Sequence, residues 1–594
     1  MTAEKELTGY PSIDKPWLKY YDEEVIAADI PSMGMYEYLM AQIAPYPSDS
    51  ACLNYFGNRI SYQTLIESIE KVAKSFIGLG VREGDIVSIV SPTTPEAIYC
   101  IYGLNRIGAI ANIIDPRLSS ENLEEKIASS VAVIGIDLIG EKLRDCCCGL
   151  SCFTFSVSQS FPYVKRMVYK LLKKTLRLAK LGTWDEFLEQ SSKIGSFGIT
   201  ACRGDDTAII VSTSGTTGKS KLAMLTNANV NAVAWQYARS GILHNQGDIF
   251  LNVMPVFLSY GIAAGMRMPL CLGFESVIIP SRDMEKVGAY LLKYKPQSYL
   301  DIPTSFDELL RSRDIKETTD LSFLRNPGVG GDHLNPRLEE RVNEFLRVHG
   351  CRSSIQKGYG LTEMSSAAIV NVSDSCNTLG SVGIPLPKTD AKIVDVDTRE
   401  ELPIGEIGEL CLSGPALFKG YFGDCQATRV ELEVDENGKA WVKTGDLFSM
   451  NENGELFFHE RLKMMFVRPD GHNNHPNMMS EAIRSHPVVK DVCTVGVPSP
   501  FHSQGSFPKA VIVLTSEGMA CQKRIQGELE KTLLAKFSRR DIPYFYEFRD
   551  ELPHTPNGKV DFKKLESEGV ENASPSEICK EELYSEDSKG ELAD

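Results

Sequence analysis

The stretch VSTSGTTGKSKLAML, residues 211–225, decides how this chain is read. A short apolar run, Thr207–Ser212, leads into it and reads as a buried strand, with the glycines forming the turn after it. Gly215 and Gly218 let the backbone come close to a ligand. Ser214, Thr216 and Thr217 offer hydroxyl donors, and Lys219 and Lys221 offer positive charge. Many short donors and countercharge in one loop suit a polyphosphate. The loop is not a Walker A motif. Counting back from Gly218, the position that must be glycine is Thr213. A solvated Ser/Thr/Gly turn is the plain alternative, and the loop alone does not say what is done with a phosphate.

Bulk properties narrow the class. At 594 residues the chain exceeds what one hydrophobic core supports, so two or more domains are expected. A net charge of −16 argues against a nucleic-acid partner, whose footprint is basic. The 15 cysteines include the consecutive Cys146, Cys147 and Cys148 but no recurring zinc-type pair, and they read as reduced thiols of a cytoplasmic protein. The N-terminal MTAEKELTGYPSIDKPW lacks an apolar signal core, and no run of eighteen apolar residues follows, so no span across a membrane is expected.

Residues 1–35 are polar and irregular and read as an extension packed over a domain surface. From Ile60 the text becomes regular. ISYQTLIESIEKVAKSFIGLG reads as a helix, DIVSIV as a strand, PEAIYCIYGLNRIG as a helix and AIANIID as a strand. That order predicts a parallel, helix-covered sheet, continuing to about Val211. PVFLSYGIAAGMRMPLCLG (255–273) is apolar and serves either as pocket wall or as core. GVGGDHL (328–334) reads as a glycine-rich turn after a strand. From Lys388 to Met450 short alternating strands predict a separate antiparallel layer. A boundary falls at His459–Lys463, followed by about 100 residues of α+β. The fold class is therefore α/β: a large domain over 36–460, with helix-covered, mostly parallel sheets plus a small β layer, then a small mobile α+β domain over 461–565. The acidic tail 566–594 is expected to be disordered.

One segment stands apart. Tyr163–Leu181 carries Lys165, Arg166, Lys170, Lys173, Lys174, Arg177 and Lys180 with apolar residues interleaved. It reads either as a helix solvated on its own domain or as a basic amphipathic helix on an anionic membrane surface, which would make the protein peripheral on the inner face of the membrane.

Five stretches belong together: TSGTTGKSK (213–221), GYGLTE (358–363), GELCLSGPALFKGYFGD (408–424), KTGDL (443–447) and PNGKVDFKKL (556–565). In order and spacing they resemble the adenylate-forming superfamily, which holds acyl- and aryl-CoA synthetases, firefly luciferase and nonribosomal adenylation domains. The resemblance covers roughly residues 35–565. It implies activation of a carboxylic acid by ATP and Mg²⁺ to an acyl-adenylate, then transfer to CoA or to a carrier-protein pantetheine. Negative charge builds on phosphate oxygens and must be met by fixed donors. By resemblance, Thr213, Ser214, Gly215, Thr216, Thr217, Gly218 and Lys219 hold the β- and γ-phosphates. Thr362 bonds the α-phosphate or substrate carboxylate, and Glu363 holds Mg²⁺. Tyr359 stacks on adenine, with Gly331 and Asp332 on its edge. Asp446 accepts from the ribose hydroxyls, with Arg461 nearby. Lys559 reaches in from the small domain, which rotates about a hinge at Lys463. Phe257, Leu258, Tyr260, Gly261 and Gly330 line the acyl pocket, and Gly471 lies on the thiol channel.

The chain departs from the family pattern twice. RPDGHNNHPNMMSEAI (468–483) keeps Gly471 and Pro476 but has Met478 where a glutamate is usual, which leaves the thiol acceptor open. His472 and His475 lack a third metal ligand nearby. Family members often have Phe-His at the pocket gate, and here it is Phe257-Leu258, which favours an aliphatic acid. The reading is thus an AMP-forming synthetase acting on a fatty or other apolar acid. Rivals are a ligase loading an acyl carrier protein, and an amino-acid or aryl-acid activator using Asp301 or Asp332 for a substrate ammonium. A non-catalytic binder would be expected to lose Lys559, Glu363 or Asp446, and all three are present.

Overall fold

The computed structural model describes residues 7–172, 181–213, 220–281, 283–469, 472–499, 505–555 and 559–578. Two sheets face each other across a layer of helices. The helix Tyr62–Gly78 starts at Ser61, whose side chain accepts the Thr64 N–H. The helix Pro95–Arg106 starts at Thr94 in the same way, and every one of its residues is buried. It is buried all round because it lies between both sheets, and its few polar side chains, such as Glu96 and Asn105, are hydrogen-bonded. One core joins Leu53 and Ile278 of one sheet to Val87, Ile113 and Ile209 of the other, with Ile69, Phe76, Ile98 and Ile101 between them.

Among the described residues one sheet has eight strands. Its centre is parallel: Thr207–Ser212, Ile110–Ile114, Ile86–Val90, Ala132–Ile136 and Ser151–Phe155. The other has 14 strands among the described residues. Its parallel part runs through Gln356–Leu361, Asn326–Gly330, Ser298–Asp301, Ile249–Asn252, Glu275–Ile278 and Ala51–Tyr55. Burial on both faces gives Ile86–Val90, Ile110–Ile114 and Ala132–Ile136 their nearly continuous apolar text.

The structure adds one relationship at the opening loop and corrects several expectations elsewhere. The opening loop joins two antiparallel strands, Thr207–Ser212 and Leu222–Thr226, with Val211 opposite Ala223. A Walker loop opens a helix; this one closes a hairpin, so no helix N-terminus stands behind it. The antiparallel layer is not separate. Strand Ser381–Pro385 pairs with Ser366–Val370 on one side and Leu456–Arg461 on the other, which fuses the layer to the large sheet. In GVGGDHL, the residues up to Gly330 are strand rather than turn. The N-terminal extension is anchored more deeply than its polarity implied. Trp17 is fully buried, Ser12 bonds Glu401, and the Tyr21 hydroxyl donates to the Pro385 carbonyl.

The small domain has its own core around the strands Val489–Pro498, Ser506–Leu514 and Phe545–Arg549. A disordered tail from Glu566 is contradicted as far as Ile578. The helix Phe562–Ser567 runs on past Glu566, and strand Ser574–Pro575 pairs with Phe545–Arg549. Leu565, Val570, Ala573 and Ile578 explain this, because they seal the core edge from within acidic text. Residues 579–594 lie outside the described residues. No helix among the described residues is long and apolar enough to cross a membrane.

Candidate active site

The site lies beyond the carboxyl ends of the parallel strands, where open α/β sheets leave a crevice. Gly330 stands opposite Gly358 on neighbouring strands. A Cβ at Gly330 would sit 3.1 Å from the Gly358 carbonyl oxygen and 3.8 Å from the Tyr260 hydroxyl. Gly331 has φ +81°, a left-handed conformation that suits glycine, and it turns the chain toward Asp332.

Strand Gln356–Leu361 carries Tyr359 and ends in the short turn Thr362–Met364. The Ser259 hydroxyl donates to Thr362 Oγ1 at 3.4 Å. Glu363 is buried, and the Tyr421 hydroxyl donates to its Oε1 at 2.5 Å. Burial pushes the Glu363 carboxyl above the ordinary range, partly opposed by the Tyr421 bond. Lys221 sits 4.4 Å from the centre of the Tyr421 ring and 3.2 Å from Glu431.

Asp446 and Arg461 are cross-strand partners. Arg461 donates to both Asp446 oxygens, Nε at 2.7 Å and Nη2 at 3.2 Å, and the Tyr359 hydroxyl donates to Oδ2 at 2.7 Å. Asp446 is buried, and the bidentate guanidinium engages both of its oxygens. The same carboxylate, with burial ahead of it, holds the Tyr359 hydroxyl well above its usual pKa.

Lys559 enters from the small domain and lines the same cleft. Burial lowers its pKa, the Asp332 charge opposes that, Arg461 adds to it, and Asp446 opposes it. The Thr555 N–H donates to the Lys559 carbonyl at 2.7 Å. Thus Asp332, Tyr359, Asp446, Arg461 and Lys559, spread over more than two hundred residues of sequence, converge. Lys463 lies in the turn Leu462–Met464 directly after Arg461. Thr213 closes the hairpin, its N–H donating to the Lys221 carbonyl at 2.9 Å. Ser214, Gly215, Thr216, Thr217, Gly218, Lys219 and Gly471 lie outside the described residues.

A continuous cavity of about 1580 Å³ includes this cleft and extends under it. Its floor is strand backbone at Gly328, Gly330 and Gly358, and Tyr237, Met254, Met268 and Phe274 wall it. Phe257 is buried with the Arg117 guanidinium 5.2 Å from its ring centre, while Leu258 is half-buried. Gly261 is required where it stands: a Cβ would lie 1.8 Å from the Pro255 carbonyl oxygen. It opens a π-helical segment, Gly261–Arg267, the irregular geometry often found at functional sites. Asp301 accepts from Tyr299, Ser305 and the Ile302 N–H, so its oxygens are already engaged. His472 pairs with Asp541 at 2.6 Å, and no metal-binding cluster of three His, Cys, Asp or Glu side chains occurs among the described residues.

Two contributors had no role in the sequence reading. Tyr421 sat unassigned inside a quoted motif; its contact with Glu363 arises because the Phe418 N–H bonds the Glu363 carbonyl and strand Gly420–Tyr421 pairs with Ala223 and Met224. Glu460, beside Arg461, carried no signal of its own.

Comparison with known proteins matches this arrangement. The family described as AMP-binding enzyme matches residues 39–422, and its C-terminal domain matches 479–559. The chain belongs to this adenylate-forming family. A long-chain-fatty-acid–CoA ligase of Bacillus subtilis is 27% identical over 576 residues, covering 94% of this chain and 99% of that one. A 4-coumarate–CoA ligase-like protein of Arabidopsis thaliana is 26% identical, covering 86% and 87%. ATP-bound MatB from Rhodopseudomonas palustris shares the fold with a TM-score of 0.76 at 21% identity, over 90% of this chain and 99% of that one.

Proposed function

We propose that this AMP-forming acid–CoA ligase activates a fatty or other apolar carboxylic acid, forming the acyl-adenylate and then the CoA thioester. The observation that carries the acid class is the groove floored by Gly328, Gly330 and Gly358 and walled by apolar side chains. The engagement of Asp301 by its own neighbours speaks against that residue as the partner of a substrate ammonium.

In this reading the substrate carboxylate lies near Thr362 and attacks the ATP α-phosphate. Asp446 accepts from the ribose hydroxyls while Arg461 holds the carboxylate in place. Tyr359, Gly331 and Asp332 border the adenine. Thr213 and the loop 214–219 meet the leaving pyrophosphate. Lys559 neutralises charge developing on the α-phosphate and acyl oxygens. Glu363 is a hard carboxylate in the cleft whose burial disfavours its charge, and that fits a divalent cation. Mg²⁺ would be held there and would supply countercharge to the phosphates. Lys463 is the hinge, the domains being 36–460 and 461–565, with Gly471 on the thiol route.

The test is a panel of aliphatic, aryl and amino acids with ATP and CoA, read as pyrophosphate release and thioester formation. Aliphatic acids should give the highest kcat/KM. A preference for amino acids, or acyl-AMP accumulating without thioester, would overturn the reading.

A further inference from the structure

The helix Tyr163–Leu172 turns its apolar face outward. Tyr163, Val164, Met167, Val168 and Leu171 are 77, 72, 45, 49 and 79% exposed. Spacing of i, i+1, i+4, i+5 and i+8 sets them on one side of the helix. Such a stripe ordinarily faces a core. The helix is nonetheless fastened from behind. Lys165 Nζ donates to the Phe56 carbonyl at 2.7 Å. The Tyr169 ring meets Phe161, which packs on Tyr55 and Phe56. The stripe is therefore a built surface, held by contacts on its other side.

Charge identifies the partner. The segment 163–181 contains seven basic residues and no acid, in a chain of net charge −16. An outward apolar stripe joined to basic residues suits an anionic lipid surface. The apolar side chains enter the headgroup boundary, and the segment's excess of positive charge attracts it to anionic lipid.

Placement adds a second argument. Tyr55 pairs with Ile278, and Ile278 with Asn252. The Phe56 turn that carries the helix thus lies at the carboxyl ends of the parallel strands, the end that bears the candidate site. Ser160 donates to Glu96 at 2.6 Å. A few residues before Glu96, Thr93 donates to the Met254 carbonyl at 2.7 Å and accepts the Val256 N–H at 2.9 Å. The helix mount and the loop over the apolar groove are therefore joined by a short chain of contacts.

We infer that the helix Tyr163–Leu172 docks the protein on an anionic membrane surface, on the side of the sheet that carries the active-site cleft. The inference does not depend on which acid is activated. The full chain is sedimented with vesicles of phosphatidylcholine, with and without phosphatidylglycerol, at low and high salt. Binding is expected to the anionic vesicles only and to weaken with salt. The double substitution Val164→Glu, Leu171→Glu is expected to weaken it at least about tenfold, while turnover of a short, water-soluble acid stays at the wild-type level. Three results overturn the inference: wild-type protein that ignores anionic vesicles, a variant that binds them as wild type does, or wild-type self-association that the variant abolishes without any vesicle binding, which assigns the face to a second copy of the chain.

Discussion

The Glu460 carboxylate accepts the backbone N–H of Asn477 at 2.6 Å, and the Asn477 amide donates back to the His459 carbonyl at 2.7 Å. Glu460 belongs to the last strand before the turn Leu462–Met464, and Asn477 to the first turn of helix Pro476–Arg484 beyond it. A carboxylate on the free N–H groups of a helix start also meets the positive end of its dipole. These two bonds span the proposed hinge at Lys463, so rotation there would separate them.

Glu460 is 1% exposed, and burial raises its carboxyl from 4.5 to about 7, against backbone bonds from Asn477, Arg461 and Met478 that pull it down. The folded chain therefore holds this proton more tightly than the unfolded chain. Its contribution to stability is greatest below pH 4.5 and declines as pH rises through 7. The total is about 3 kcal/mol. Glu460→Gln keeps an acceptor but does not titrate. Urea unfolding at several pH values should show wild type losing about that much stability relative to the variant as pH rises through this window. A difference that stays flat with pH refutes the assignment.

Lys559 is the small domain's basic side chain facing Asp332, Asp446 and Arg461. Lys559→Ala should lower pyrophosphate release by roughly 10²–10³, the usual effect of removing one transition-state donor. ATP binding, measured by equilibrium dialysis, should change only a few-fold, because Asp446, Arg461 and Tyr359 remain. Turnover at the wild-type rate would remove Lys559 from the mechanism.

Tyr421 gives Glu363 the bond that counters its burial. Tyr421→Phe removes the largest of the effects that oppose burial, so the Glu363 carboxyl pKa rises further. The acid limb of the kcat/KM profile should then move to higher pH, and more Mg²⁺ should be needed for half-maximal rate on that limb. Profiles that superimpose on wild type would show that Glu363 does not hold the cation.

Much of this was legible in the sequence because local chemistry and global fold agree. The helices Tyr62–Gly78 and Pro95–Arg106 follow from periodicity and their Ser61 and Thr94 caps. Asp446 stands in the KTGDL motif and Arg461 in the boundary stretch before Lys463, and the strand register explains why they meet. What escaped depends on long-range pairing. The hairpin that closes the phosphate loop requires knowing that Leu222–Thr226 returns antiparallel rather than opening a helix. Glu460 gains its meaning only from Asn477, seventeen residues away across a turn. The strand at Ser574–Pro575 hid in acidic text because three or four apolar residues sufficed to finish an existing core.

Gly330 offers the sharpest test of the acyl groove. Its missing side chain leaves the space between the Gly358 carbonyl and the Tyr260 hydroxyl open. A Cβ there meets the carbonyl at 3.1 Å, a tight contact with backbone that cannot swing aside, so the added methyls of Gly330→Val project into the cavity. If the acid threads past this point, long chains lose more than short ones. Each methylene kept out of the groove forgoes about 0.8 kcal/mol, roughly fourfold in kcat/KM. Across a series of straight-chain acids, wild type should gain steadily with length until the groove is filled, and the variant should flatten at a shorter acid while its KM for ATP stays unchanged. An unchanged slope in the variant would mean that the acyl chain takes another path.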